Sequence, residues 1–183
     1  MANYIARPVT SVPDYLVAQV IVPANVTLFA GQVVALDAYP SGASALPGNL
    51  FTYAVTAPGI ATKRVGIVLG GSGFETLPDG RRPKGQPDYT QYTYGAGDVV
   101  TVVVLEKNMR YEISTDVLND TTNIAVGNYL TISAASGANY KLVTAAASTA
   151  ANTTNIKILA TNNFPLGGQF GGNFANTLIC VVE

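Results

Sequence analysis

Apolar and β-branched residues recur along the chain in short runs cut by Gly, Pro, Asn and Asp, and almost nowhere at the three-and-four spacing of a helix face. No window sets an N-cap before such a face and a glycine behind it. The runs that read as strands are residues 15–22, 33–36, 51–55, 64–69, 98–106, 109–114, 129–133, 140–144, 155–160 and 177–182. Residues 110–114 alternate, with Tyr111 and Ile113 on one face and Arg110, Glu112 and Ser114 on the other. Residues 101–106 are more continuously apolar, the pattern of a strand covered on both sides. Glu106-Lys107-Asn108 predicts a hairpin turn between two strands, and Ser136-Gly137-Ala138-Asn139 predicts another. The whole pattern predicts an all-β fold, a barrel or sandwich of short antiparallel strands.

Two stretches break the rhythm. Residues 1–23 hold Pro8, Pro13 and Pro23 around one strand. Proline cannot donate to a ladder, so an extended N-terminal arm is expected over 1–23, ahead of a single β domain over 24–183. For residues 15–22 a second reading stands beside it: the first strand of the domain's own barrel. Residues 70–97 form the long loop of the chain, and a loop of that length inside a compact domain is usually functional or disordered. It carries Arg81, Arg82 and Lys84, then Tyr89, Tyr92 and Tyr94. Tyr and Arg are favoured anchors of protein contacts, which makes these six the candidate protein-contact residues. The same mixture suits a single-strand nucleic-acid surface in miniature, or a solvated basic tip.

Charge decides between the binding readings. The net charge is −1, which argues against a nucleic-acid partner, since that needs a basic face. Charged residues are only 11% of the 183, against about 25% in ordinary globular domains. A low-charge polar surface fits a protein held against neighbours, and also many secreted β-proteins. The lone Cys180 lies in an apolar run, has no partner for an internal disulfide, and reads as a small buried hydrophobe. No apolar run approaches the about 20 residues of a membrane span, and no signal segment is visible, so no membrane is expected.

The chain has no histidine, which removes His-based acid–base chemistry, Ser-His and Cys-His nucleophiles, and His-liganded metals. Carboxylates are left. Asp79, Asp88, Asp98 and Asp120 each adjoin Gly, Pro or Asn, where Asp ordinarily shapes a turn. The oxygen-rich stretch from Asp116 to Asn123 lacks the sharp glycine turn of a calcium loop until Gly127. Gly70-Gly71-Ser72-Gly73 lacks the Gly-Lys-Ser/Thr ending of a phosphate loop. The expectation is therefore no catalytic residue, no cofactor and no metal, in a protein that is not an enzyme.

A set of short blocks adds a resemblance. Phe29-Ala30-Gly31-Gln32-Val33-Val34-Ala35-Leu36-Asp37, Arg64-Val65-Gly66-Ile67-Val68-Leu69, Ala96-Gly97-Asp98-Val99-Val100-Thr101-Val102 and Met109-Arg110-Tyr111-Glu112 follow one another in an order that resembles the lambda type of bacteriophage head decoration protein. Val126-Gly127-Asn128-Tyr129-Leu130 and the closing Ala175-Asn176-Thr177-Leu178-Ile179-Cys180-Val181-Val182-Glu183 resemble blocks of barrel-type decoration proteins. The loop at 70–97 is longer, and the chain larger, than the lambda type. The resemblance implies a structural virion protein on the capsid exterior, made in the host cytoplasm. It would act as a cement that binds across major capsid protein subunits, as a homo-oligomer with a trimer favoured. A head-fibre or receptor- or glycan-binding β module is the alternative, though fibres usually show repeats or coiled coils, and sugars usually stack on Trp, which this chain lacks.

Overall fold

In the computed structural model, which describes residues 3–38, 52–70, 92–132, 140–148, 154–165 and 174–183, the chain is all-β. The strands are β1 (Ala6–Pro8), β2 (Val17–Ile21), β3 (Leu28–Phe29), β4 (Val33–Ala38), β5 (Thr52–Thr56), β6 (Val65–Val68), β7 (Thr93–Tyr94), β8 (Val99–Val104), β9 (Arg110–Ser114), β10 (Tyr129–Ile132), β11 (Leu142–Ala145), β12 (Asn155–Pro165) and β13 (Phe174–Val182). Every predicted strand is present. The additions are the short β1, β3 and β7, and β12 runs to Pro165, past its predicted end at Ala160.

Five strands close into a barrel in the order β2-β5-β4-β6-β8, and six form a sheet in the order β1-β9-β13-β12-β10-β11. The barrel pairs are antiparallel except β2 with β5. A ring with an odd number of strands cannot alternate direction all the way round, so one parallel pair is required. Gly66 shows how tight the barrel interior is. A Cβ there would stand 3.1 Å from Leu36 Cδ1 and 3.1 Å from Val102 Cγ2. Val65 to Val68 are all buried, as are Val33 to Leu36, so β4 and β6 are covered on both faces. One apolar cluster runs on from them to Tyr111, Ile113, Leu130, Ile158 and Leu178 in the six-stranded sheet.

Of the segment expected as an arm over residues 1–23, the described residues 3–23 are built into both sheets, and residues 15–22 take the other reading, a strand of the domain's own barrel. β1 pairs with β9, aligning Ala6 with Ile113 and Pro8 with Tyr111. β2 lies between β5 and β8. Ile5, Leu16, Val20 and Val22 are buried. The prolines bound these strands without breaking them. The Ile5 carbonyl and the Val9 N–H engage β9, while the Ala6 N–H turns the other way, to Gly70, so the missing N–H of Pro8 faces away from β9. Pro13 caps the 3-10 turn Asp14–Leu16.

The turn at residues 106–108 is present, with Met109 N–H donating to the Glu106 carbonyl at 3.1 Å and Asn108 at φ 71°. It does not make the expected hairpin. Both edges of β8 are already taken, by β2 and β6, so the chain crosses there from the barrel to the sheet. β10 and β11 do pair, from Tyr129 with Ala145 to Ile132 with Leu142, while the turn predicted at residues 136–139 lies outside the described residues.

Candidate contact surface

The longest ladder joins β12 to β13, from Ile156 opposite Val182 to Pro165 opposite Phe174, with a bulge at Leu159. Neighbours flank only its near half. β10 meets β12 at residues 155–157, bonds from Gly127 and Asn128 reach Ile158, and β9 meets β13 at residues 177–181. Beyond these the pair stands out as a two-stranded ribbon. Its inner face is apolar and buried at Ile156, Ile158, Leu178 and Cys180, then turns polar at Thr161, Asn163 and Asn176. A cleft of about 720 Å³ opens there, with Thr115, Asp116 and Thr121 on one side and Thr161, Asn163 and Asn176 on the other. Thr161, Asn162 and Asn163 are exposed.

The opposite face is organised by Glu112, only 1% exposed although it was expected on the polar face of its strand. Its Oε2 accepts from Arg7 Nε at 2.7 Å within an ion pair. Its Oε1 accepts from Thr177 Oγ1 at 2.7 Å and from Asn162 Nδ2 at 3.0 Å. Beside it, Ser114 is covered by residues 3–5: the Ile5 N–H donates to Ser114 Oγ, which donates to the Asn3 carbonyl. The apolar alternation in the sequence marked the other face of β9 as the core, and nothing in it signalled that residues 3–8 would cover this one.

Other carboxylates are tied to their own backbone. Asp98 Oδ2 accepts from Gly95 N–H at 2.7 Å, and Asp116 Oδ2 from Asn3 N–H at 2.7 Å. Asp120 accepts from the Thr122 N–H and hydroxyl, and these bonds, the backbone one first, hold its carboxyl below the usual range. Glu183 pairs with Lys157 at 3.3 Å and raises the ammonium's pKa. Burial pushes the Tyr111 phenol above its ordinary value and the Cys180 thiol up to about 12. Among the described residues no group of three or more Cys, Asp and Glu is placed to hold a metal ion.

Of the six predicted contact residues, Arg81, Arg82, Lys84 and Tyr89 lie outside the described residues. Tyr94 sits in β7 opposite Leu28, half-buried against the core. Tyr92 meets it edge-on, with centroids 4.8 Å apart at 84°. Nearby, Tyr4 stacks on Phe29 at 4.0 Å, and the Lys141 ammonium stands 5.4 Å from the same ring. These rings close the β3–β7 corner. Among the described residues the most open apolar side chains lie elsewhere: Tyr15 is 76% exposed, Val126 64% and Phe174 60%. Among the described residues no helix is long and apolar enough to cross a membrane. No protein-family model, curated protein or solved structure matches the chain.

Proposed function

We propose that this chain is a structural virion protein that decorates and stabilises a bacteriophage capsid by binding across major capsid protein subunits. One observation carries the reading: among the described residues the surface offers contact features, while four of the carboxylates are tied to their own chain. In a chain without histidine, carboxylates are the natural acid–base groups. Here Asp98, Asp116, Asp120 and Glu112 fasten turns and strands of their own chain. What faces outward is an unflanked stretch of sheet, the exposed rings of Tyr15 and Phe174, and Val126. Extended backbone and isolated apolar anchors are what a partner sheet or groove recognises.

The blocks that resemble decoration proteins fall on β3 with β4, on β6, β8, β9 and β13, and on the turn that opens β10. The alternative, a glycan-binding module, would use the polar cleft. Its lining is Thr, Asn, Asp, Ile and Leu, without the aromatic platform on which sugars stack.

The test is to mix the purified protein with expanded heads that lack it, from the phage that carries its gene, and to follow co-sedimentation and cryo-EM density. Stoichiometric density at repeated capsid positions is the expected result. Heads that stay bare under saturating protein overturn the proposal.

A further inference from the structure

The register of the distal ribbon fixes which backbone groups face outward. The Val182 N–H donates to the Met109 carbonyl and its carbonyl accepts from Asn108, so Val182 turns toward β9. Alternation carries that direction to Cys180, Leu178 and Asn176, and the Asn176 carbonyl accepts from Thr115 Oγ1 at 3.4 Å on that side. Leu178 is opposite Thr161, Asn176 opposite Asn163, and Phe174 opposite Pro165. These β12 residues therefore turn their N–H and C=O groups away from β13. Pro165 agrees, because its missing N–H falls on this open edge. No described strand pairs with residues 159–165 on that side.

Natural proteins usually guard such an edge with lysine, proline, a bulge or a covering segment, and here the bulge at Leu159 and Pro165 stand at the two ends of the segment and leave Thr161 and Asn163 between them. The two end strands of this sheet, β1 and β11, are each met by a neighbour: Ala6 bridges to Gly70, and Asn119 N–H donates to the Leu142 carbonyl. Residues 159–165, Leu-Ala-Thr-Asn-Asn-Phe-Pro, carry no charge at all.

We propose that this edge is a self-pairing interface, in which β12 of one copy joins β12 of a second copy antiparallel about a two-fold axis through Asn162. With the axis there, Thr161 faces Asn163 of the second copy, and Asn163 faces its Thr161. Both are outward-bonding positions, so each pair exchanges N–H···O=C bonds in both directions. An axis through Asn163 would set Thr161 against Pro165, which has no N–H to give, whereas the Asn162 register pairs Thr161 and Asn163 in both directions and places Pro165 at the margin, opposite the bulged Leu159. The neutral strand brings no like charges together across the axis, and a contact of this kind is self-complementary by symmetry. The two six-stranded sheets then run on as one. The contact makes a dimer, where the resemblance implied a trimer.

The experiment is sedimentation velocity over a concentration series, without capsids, so that its outcome is independent of the decoration reading. The wild-type protein is expected to shift from monomer to dimer mass. Thr161→Lys with Asn163→Lys places lysine directly opposite lysine twice, and should leave a monomer. Thr161→Glu with Asn163→Glu should do the same. Mixing the two variants sets Lys against Glu at both pairs and should restore a one-to-one dimer, seen by native mass spectrometry. Both positions are exposed, so circular dichroism melts of the variants should match wild type, and recovery on mixing shows that both are folded. A wild-type monomer or trimer throughout, a lysine variant that still dimerises, or variants that fail to recombine overturns the proposal.

Discussion

The pair between Arg7 and Glu112 adds a side-chain tie to the backbone bonds that hold the first strand, and its energetics can be worked from the geometry. Arg7→Ala would leave a carboxylate that is 1% exposed with its bonds from Thr177 and Asn162 but no counter-charge. Breaking a buried pair from that side costs about 3–5 kcal/mol. Glu112→Ala removes one partner of Arg7, whose side chain is 41% exposed. That guanidinium can rehydrate, so the charge part falls toward the about 0–1 kcal/mol of a surface pair. The lost bonds from Thr177 and Asn162, at about 1–1.5 kcal/mol each, then dominate, for about 3 kcal/mol in all. For a chain of this length such losses lower Tm by about 2–4 °C per kcal/mol. Arg7→Ala should therefore be at least as damaging as Glu112→Ala, although it removes the more exposed residue. The double variant should cost clearly less than the sum, because the second deletion removes a group already left without its partner. Urea unfolding followed by circular dichroism measures all three. Additive losses, or an Arg7→Ala loss below about 0.5 kcal/mol, would refute the assignment of Glu112 as the tie between β1 and the sheet.

Gly31→Ala should cost about 2–4 kcal/mol, because φ is +89° and the new Cβ would stand 2.7 Å from Val117 Cγ2. Gly97→Ala, at φ +86° with nothing within 4 Å, should lose only the backbone part, about 1–2 kcal/mol, and equal urea midpoints for the two would contradict this. With its pKa near 12, Cys180 is thiolate in only about one molecule in ten thousand at pH 8, so a thiol reagent should label the native protein slowly and the unfolded protein at once; fast native labelling would show an open site. Asp120 should titrate below 3.8 in the folded state by NMR, so its contribution to stability is complete above its unfolded pKa and is lost as pH falls through the folded one; a midpoint at or above 3.8 rejects the Thr122 cap.

The strands were legible wherever side chains carried them. Val99 to Val104 is apolar at almost every position; between β2 and β6 it is buried on one face and half-buried to buried on the other. β1 was not legible, because Ala-Arg-Pro has no apolar rhythm and is held by backbone bonds and one ion pair to a residue far along the chain. The far end of β12 was hidden for a similar reason. Thr-Asn-Asn has weak strand propensity, and its partner across the ladder, not its own side chains, makes it extended. The parallel β2–β5 contact follows from strand parity in a closed ring, which no local pattern encodes. Glu112 looked like a solvent-facing residue because alternation tells which face is core, and is silent on whether the other face is covered.

The same physics explains why residues 159–165, and not residues 3–23, form the segment proposed to pair outside its own fold. Val17 to Ile21 alternates between exposed and buried positions, with Ala18 and Val20 inside. A strand with such a stripe gains by closing its own barrel, and Pro13 and Pro23 simply mark where it begins and ends. Thr161 to Asn163 has no apolar stripe to bury, so the ladder to β13 and the bond from Asn162 to Glu112 keep it extended. A polar strand held straight by one neighbour still has half of its backbone bonds to make. Its remaining specificity lies in register and in the position of Pro165, not in side-chain shape. An attachment edge of that kind is invisible to a search for anchors such as Tyr and Arg, which is why the aromatic and basic loop drew attention in the sequence and the asparagines of β12 did not.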